Sequence, residues 1–441
     1  MVIRSDQNPG KKPVLSFVVW LLVGVFLVFF ALNRHSRADR FNYHSEIWAD
    51  KAGYTIYLQA FEYGYDGRRV PDTAIVSKTG YGFSIDPKNG VFITKYTYGT
   101  ALAQSPFYLL GSFIEADSEI LPGFSVIQNR MVSLAGAVYL VFGLFFLYRF
   151  LGFFYVKKVR ILTLLILLFG TNLLYYGTLE PGMSHIYSFA LFSGFLLFLK
   201  RRDFFAKEKF WEFFVFGCLA GWMVVLRQSN LLFPLVYFFL DAGTRALVLE
   251  RVKRIFTFGN LIPVLLGFFL LLSPQILYWN YAFESMLAYS YGEEGFHWLD
   301  PKIHKVFFDP YNGLFIYAPL MFFAVVSMIM MLRNKVENAW LITATFGIMT
   351  YIFSCWWAWW FGCAFGARSY VEYLSLFSLA FAYGWRDILT RNKGTIITAS
   401  IVVVLCCAYT TKMALSIDTC FPGSKKWDWP VYFDELKRKV K

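Results

Sequence analysis

Charge is what this chain is short of. Only 16% of its 441 residues are Asp, Glu, Lys or Arg, against about 25% in an ordinary soluble domain. With 57% hydrophobic residues and a mean hydropathy of +0.49, the composition is that of a membrane protein. Acidic residues are the scarcer sign, 29 against 42 basic ones, and the formal net charge is +13. That excess does not indicate nucleic acid, because there is no basic helix and no zinc-finger spacing to present it. Cysteine is also sparse: there are six, with no CxxC pair. Cys218, Cys406 and Cys407 lie inside apolar runs and read as small packing residues rather than metal ligands. Cys355, Cys363 and Cys420 fall where an oxidising compartment is possible, but sequence does not fix a pairing. No periodic repeat is present, and no inverted halves with paired broken helices of the kind transporters carry. No clear acidic pair stands ready for a metal, so the sequence favours metal-independent chemistry and implies no cofactor.

Aromatic residues and long apolar runs are abundant. Phe, Tyr and Trp make up 21% of the chain. A spanning helix needs roughly 20 mostly apolar residues. Candidate spans are 13–32, 124–149, 161–177, 185–199, 211–226, 229–241, 257–278, 314–332, 338–355, 371–385 and 394–414. The fold class expected is an all-α polytopic membrane protein of about eleven transmembrane helices, with a large outer loop after the first. The first span follows Lys11 and Lys12 and lacks a small-residue cleavage site, so it reads as an uncleaved anchor.

Basic residues set the orientation. Lys157, Lys158 and Arg160, then Lys200, Arg201 and Arg202, Arg251, Lys253 and Arg254, Arg333 and Lys335, and Arg386, Arg391 and Lys393 all fall on one side if residues 1–12 are cytoplasmic. Residues 13–414 then form the transmembrane domain, with outer loops 33–123 and 279–313, and 415–441 is a tail outside despite its lysines. Residues 61–90 read as irregular loop from their Gly, Pro and Asp spacing. Residues 100–114 read as an interfacial or re-entrant segment.

The stretch WADKAGYTIYLQAFEYG (48–64) places Asp50 on the same helical face as Ile47, Tyr54, Tyr57, Leu58 and Phe61. That helix is expected on the outer membrane surface, its aromatic face toward the bilayer. Taken alone, Asp50 is most simply the N-cap of a helix beginning at Lys51. Other polar groups fall on the same side, however. Arg227 ends one span, and Arg368, Tyr370 and Glu372 open another. Glu180 and His185 lie in a short outer turn, and Lys95 and Tyr96 precede the re-entrant segment. Arginines that merely snorkel are expected on the inside, whereas cations near lipid depth on the outside suit an anionic partner. Arg matches phosphate with two parallel hydrogen bonds. One carboxylate, several cations and many aromatics are the set required for glycosyl transfer from a lipid-phosphate sugar. The carboxylate takes the acceptor proton, and the cations stabilise the departing phosphate.

The motifs ADKAGYTIYLQAF, KYTYGTALAQSPFYLLG, NRMVSLAGAVYLVFGLFFLYRF, DPYNGLFIYAPL and WWFGCAFGARSYVEYL carry a resemblance over most of residues 15–415. The chain resembles the GT-C class of integral-membrane glycosyltransferases, which includes protein O-mannosyltransferases and lipid A aminoarabinose transferases, and bacterial members in particular. The resemblance implies a multi-pass protein of the bacterial cytoplasmic (inner) membrane whose active site faces the periplasm. It implies a polyprenyl-phosphate-linked sugar donor, a glycan, lipid or protein acceptor, and an inverting reaction. Asp50 is then the acceptor-activating base. Lys95, Arg227 and Arg368 contact the donor phosphate, and Tyr96, Glu180, His185 and Tyr370 are further substrate-binding candidates. The sequence departs from the class in lacking a second acidic residue after Asp50. Glu293 and Glu294 are the main objection to a metal-free site, and they read more simply as a solvated loop.

Two other readings share the donor class: a lipid-linked-sugar flippase or transporter, and an O-antigen polymerase or ligase. A transporter is expected to carry charge at mid-span, and these spans carry theirs at the ends.

The orientation is directly testable. A membrane-impermeant thiol reagent applied to intact cells should label a cysteine placed at position 70 and spare one placed at 203. The reverse pattern would invert the topology.

Overall fold

The computed structural model describes residues 13–34, 45–64, 79–80, 82–86, 90–114, 123–362, 365–416 and 427–438. Cys363, Cys420 and residues 417–426 and 439–441 of the C-terminal tail lie outside them, as does much of the 61–90 stretch. The protein is an all-α polytopic membrane protein. Its main helices are α1 (Pro13–Arg34), α2 (Asp50–Tyr63), α3 (Gly99–Ile114), α4 (Val126–Leu151), α5 (Lys157–Gly170), α6 (Ser184–Arg201), α7 (Phe210–Leu226), α8 (Arg245–Phe256), α9 (Phe258–Phe283), α10 (Leu320–Arg333), α11 (Ala339–Cys355), α12 (Leu374–Leu389), α13 (Lys393–Ser416) and α14 (Trp429–Lys437). Three of them, α4, α9 and α13, are each long and apolar enough to cross a bilayer alone, and α7, α10 and α11 are shorter apolar helices.

Sequence dictates how these helices pack. Between lipid-facing helices there is no hydrophobic drive to associate, so close packing of small residues takes its place. On α7 and α9 the glycines are reciprocal. A Cβ on Gly217 would lie 2.1 Å from the Val264 carbonyl oxygen, and one on Gly267 would lie 2.2 Å from that of Phe214. The two backbones therefore touch. Helix α4 begins with a capping box in which Ser125 and Gln128 satisfy each other's backbone N–H groups. Helix α12 is buried all round from Leu374 to Trp385. On α13, by contrast, Ile397, Ile401, Val402, Val404 and Leu405 are exposed, an apolar surface that only lipid covers comfortably.

Several spans expected as continuous helices are broken, always toward the end of the bundle where α6 and α12 begin and α7, α9 and α11 finish. The 161–177 run stops at Gly170 and turns through a buried π-helical segment, Tyr175–Leu179. The 229–241 run is a 3-10 helix, Gln228–Leu235, followed by one turn, Val236–Phe239. Pro234, which lacks an N–H, sits inside it. The 314–332 run is a short helix, Leu314–Tyr317, that restarts beyond Pro319 as α10. These breaks create irregular backbone, which inside a bilayer is tolerated only where protein or a water-filled cavity lines it.

The segment between α1 and α4 is not a plain loop. Helix α2 runs on to Tyr63, and β1 (Ser84–Ile85) pairs antiparallel with β2 (Phe92–Ile93). Beside the hairpin the Gly90 N–H donates to the Asp86 carbonyl at 2.8 Å. The expectation of irregular chain through residue 90 is therefore corrected at both ends. Residues 100–114 form α3, whose Ala101, Ala103, Gln104 and Tyr108 are buried while Leu110, Phe113 and Ile114 are exposed.

Helix α2 does not lie on the membrane with an aromatic face toward lipid. Its first ten residues are buried on nearly every side, and Phe61 is the exposed one, at 80%. Ile47 precedes the helix altogether. Tyr54 packs on Tyr96 with ring centroids 4.4 Å apart, and Tyr57 packs on Tyr278 at 5.0 Å. Gly53 makes this possible, because a Cβ there would lie 2.2 Å from the Gly82 carbonyl oxygen and 2.5 Å from the Tyr96 ring. The aromatics face protein, so the helix is a wall of the interior rather than a float.

Helix α14 docks beside the same end. The Trp427 indole N–H reaches the Pro310 carbonyl at 2.7 Å and the Tyr317 hydroxyl at 2.9 Å. This puts residues 427–438 on the same side of the bundle as residues 310–317.

Candidate active site

Where the helices break, a cavity of about 880 Å³ opens. Its walls come from distant parts of the chain: the start of α2, the residues before α3, the turn before α6, the end of α7, the 287–296 segment, the Trp-rich 356–362 run and Arg368. Most of the lining is apolar or aromatic, with a few converging charges, the usual composition of a small-molecule site.

Asp50 is at the centre of the charged wall. It is the first residue of α2, while Ala49 holds the capping position at φ 49° and no side chain caps this helix end. The capping explanation for Asp50 is thereby removed. Its Oδ1 accepts a hydrogen bond from the Tyr96 hydroxyl at 2.5 Å, and its Oδ2 accepts one from Arg368 Nη2 at 3.0 Å. A carboxylate has about four lone-pair positions, so two remain, and the side chain keeps 32% of its surface exposed. Burial pushes the carboxyl pKa up, but Arg368, Tyr96 and Lys95 outweigh it and hold it below the ordinary range. Burial and the neighbouring Asp50 charge raise the Tyr96 hydroxyl well above its usual value, so it stays a donor.

A second cluster is built on Glu372, which is fully buried. Arg227 Nη1 donates to its Oε1 at 2.5 Å and also lies 2.8 Å from His185 Nδ1, which is 3.0 Å from Glu372 Oε2. One ring nitrogen carries either a proton or a lone pair. Arginine only donates, so Nδ1 either accepts from Arg227 or donates to Glu372 and does not do both.

Two further pairs complete the wall. Lys51 Nζ meets Glu180 Oε2 at 2.7 Å, both nearly buried at 4% and 8% exposure. Lys95 Nζ meets Glu294 Oε1 at 2.7 Å, more openly. The Lys95 ammonium also lies over the rings of Tyr96 and Tyr291, 5.6 and 5.5 Å from their centres.

Of the residues singled out in the sequence, Asp50, Lys95, Tyr96, Glu180, His185, Arg227 and Arg368 all line this cavity. Tyr370 does not. It is buried with its hydroxyl on Thr350 Oγ1 at 2.8 Å, because the 3-10 turn Arg368–Tyr370 sends Arg368 and Tyr370 in different directions. Glu294 is not a free loop residue but the partner of Lys95. Every carboxylate in the cavity already faces a cation, and among the described residues no group of three His, Cys, Asp or Glu stands together. Cys355 is buried.

No protein-family model matches the sequence, and no curated protein matches it. Solved structures are similar. The oligosaccharyltransferase of Archaeoglobus fulgidus in its apo form aligns over 97% of this chain and 57% of its own length, at 11% identity and a TM-score of 0.53. The archaeal oligosaccharyltransferase AglB from A. fulgidus, in complex with an inhibitory peptide and a dolichol-phosphate, aligns over 90% of this chain and 56% of its own, again at 11% identity and a TM-score of 0.53. The chain has the GT-C fold. It spans little more than half the length of these archaeal proteins, and at such identity it is the fold that is shared.

Within this GT-C scaffold, sequence reasoning missed Lys51. The signal was present: a Lys beside Asp50 in an otherwise uncharged, buried stretch requires a partner, and Glu180 was the acidic residue of the nearest turn. Removing one member of a nearly buried pair leaves an uncompensated charge, at a cost of about 3–5 kcal/mol, whereas replacing both by apolar groups is near neutral. Lys51→Met should therefore destabilise the detergent-solubilised protein by roughly that amount, and Lys51→Met with Glu180→Leu should recover most of it. Denaturant unfolding measures both. Equal losses in the single and double variants would mean the pair is not a unit.

Proposed function

We propose that the protein is a membrane glycosyltransferase that moves a sugar from a polyprenyl-phosphate donor to an acceptor hydroxyl at the outer face of the membrane. The observation that carries this reading is the Asp50–Arg368 pair at the mouth of an aromatic cavity. Through an Nη2 N–H, one of five such donors, a single guanidinium holds the carboxylate that meets the acceptor, and it also lines the cavity. Arg227 and Lys95 bring further positive charge to the same space. A second, mostly apolar cavity of about 580 Å³ shares Leu232 and Met349 with the first and runs along the 232–239 segment and α11. It suits an isoprenoid tail. The dolichol-phosphate in one archaeal neighbour supports a lipid-phosphate donor, and the acceptor is a glycan, lipid or protein.

In this mechanism the acceptor oxygen attacks the anomeric carbon from the face opposite the phosphate. A C–O bond forms to the acceptor as the bond to the phosphate oxygen breaks, with its electron pair leaving on phosphate. The configuration inverts. Charge builds on the departing oxygen beside Arg368, Arg227 and Lys95, fixed donors that need no reorganisation. The proton of the acceptor hydroxyl passes to Asp50. A carboxylate with a lowered pKa is a weak base, but it suffices here. In an oxocarbenium-like transition state the acceptor oxygen becomes strongly acidic once it bonds to carbon, so the proton leaves late. The topology proposed with this reading has residues 1–12 cytoplasmic, 13–414 as the transmembrane domain with loops 33–123 and 279–313 outside, and 415–441 outside, in a bacterial cytoplasmic membrane.

Asp50→Asn keeps the size and removes the proton-accepting group. Transfer by the purified, folded variant should fall by about 100-fold or more, within the range of general-base contributions. Near-normal transfer would remove Asp50 from the chemistry. The pH profile adds a second check. A depressed carboxyl pKa keeps Asp50 ionised from neutrality down through mildly acidic pH, and its contribution is lost only as pH falls through the lowered value. The wild-type rate should therefore show no acidic limb from this group above about pH 5, and in the residual activity of Arg368→Gln the limb should move to higher pH, because only Tyr96 and Lys95 then oppose burial.

A further inference from the structure

The four cations of the cavity are all paired, yet their partners are not equivalent. Glu372 is sealed, with 0% of its side chain exposed, and it serves Arg227 and His185 together. Glu180 is nearly sealed against Lys51. Asp50 is held by two donors. Glu294 reaches its cation from the turns and bends between α9 and the Phe296–Trp356 bridge. Lys95 and Glu294 are exposed to 34% and 28%, the most open pair of the four. Among the described residues the Glu294 carboxylate is hydrogen-bonded to Lys95 alone, whereas Lys95 has further contacts. Its backbone carbonyl accepts from Ser290 Oγ at 2.8 Å, and its ammonium sits over Tyr96 and Tyr291.

We infer that Glu294 is an exchangeable stand-in for the anionic group of the substrate: its carboxylate occupies the place on Lys95 that a donor phosphate oxygen takes, and it is displaced on binding. This rests on the lipid-phosphate reading above and deepens it. The physical reason is charge matching. An ammonium held between two aromatic rings in a partly buried wall is favoured by an anion beside it, so the resting site supplies one. A phosphate then competes with an open, water-screened pair, worth at most about 1 kcal/mol, rather than with the sealed Arg227–Glu372 pair. Glu294 thereby sets donor affinity, and as a monoanion that leaves when an anion arrives it keeps the charge of the cavity nearly constant.

The inference predicts a gain, which a merely structural role does not. With full-length protein in detergent and a short-chain polyprenyl phosphate as the probe, Glu294→Gln should bind more tightly than wild type, by about three- to five-fold, the free-energy equivalent of an open ion pair. Lys95→Met should weaken binding. Glu372→Gln, which disturbs a permanent partner, should also weaken it, so the two Glu→Gln variants should move in opposite directions. Unfolding midpoints close to wild type identify the variants whose affinities are comparable, and Glu294→Ala provides a second form of the loop variant. Wild type that binds the probe while both Glu294 variants bind it equally or more weakly overturns the stand-in role and leaves the donor reading intact. Wild type that does not bind the probe at all overturns the donor reading and this inference with it.

Discussion

A charge placed near the hydrocarbon of a bilayer must meet an opposite charge or a strong hydrogen-bond network, because the medium neither solvates nor screens it. This constraint organises the cavity. Lys51, Lys95, Arg227 and Arg368 are matched by Glu180, Glu294, Glu372 and Asp50. Each pair ties together segments far apart in the chain, 318 residues in the case of Asp50 and Arg368. The pairs therefore serve as clamps that bring α2, α6, α7 and the approach to α12 to one end of the bundle. They also give the site graded electrostatics, from the sealed Glu372 to the open Glu294.

The rest of the fold supports this arrangement. The glycine contacts between α7 and α9 bring two backbones together and so fix where α7 ends and where Arg227 emerges. Gly53 admits the Tyr96 ring against α2, and that ring delivers the hydroxyl that holds Asp50. Breaks in the helices at Gly170, at Pro234 and before Pro319 open the space that the charges line. The aromatics, more than a fifth of the sequence, pack mostly on one another. Those that reach the cavity, Tyr291 and Trp356 among them, pass contact from the Lys95 side to the Trp-rich wall.

Much of this was legible in sequence, for physical reasons. Runs of apolar residues and the scarcity of charge dictate membrane helices, so each isolated charge at the end of a run is conspicuous. Asp50, Lys95, Arg227 and Arg368 stood out on that basis, and they line one cavity. What was not legible depended on backbone detail. A 3.6-residue period places Asp50 beside Tyr54 and Tyr57 but does not say whether lipid or protein covers that face, and α2 proved buried in protein. Counting apolar residues does not show that residues 228–235, with Pro234 among them, form 3-10 helix rather than α-helix. Tyr370 was assigned by its closeness to Arg368, yet a single tight turn separates their directions. Lys51 was overlooked and Glu294 read as a solvated loop residue, because a charge beside another charge reads as solvated unless its burial is known.

The central claim is that one guanidinium, Arg368, holds both the base and the donor phosphate. A structure of the full chain with a polyprenyl phosphate bound tests it most directly. The account predicts the phosphate within hydrogen-bond distance of Arg368, with Asp50 on the acceptor side and the lipid tail running past Leu232 and Met349. A headgroup seated away from Arg368, at the opposite end near Lys335 or on the outer surface of the bundle, would contradict it.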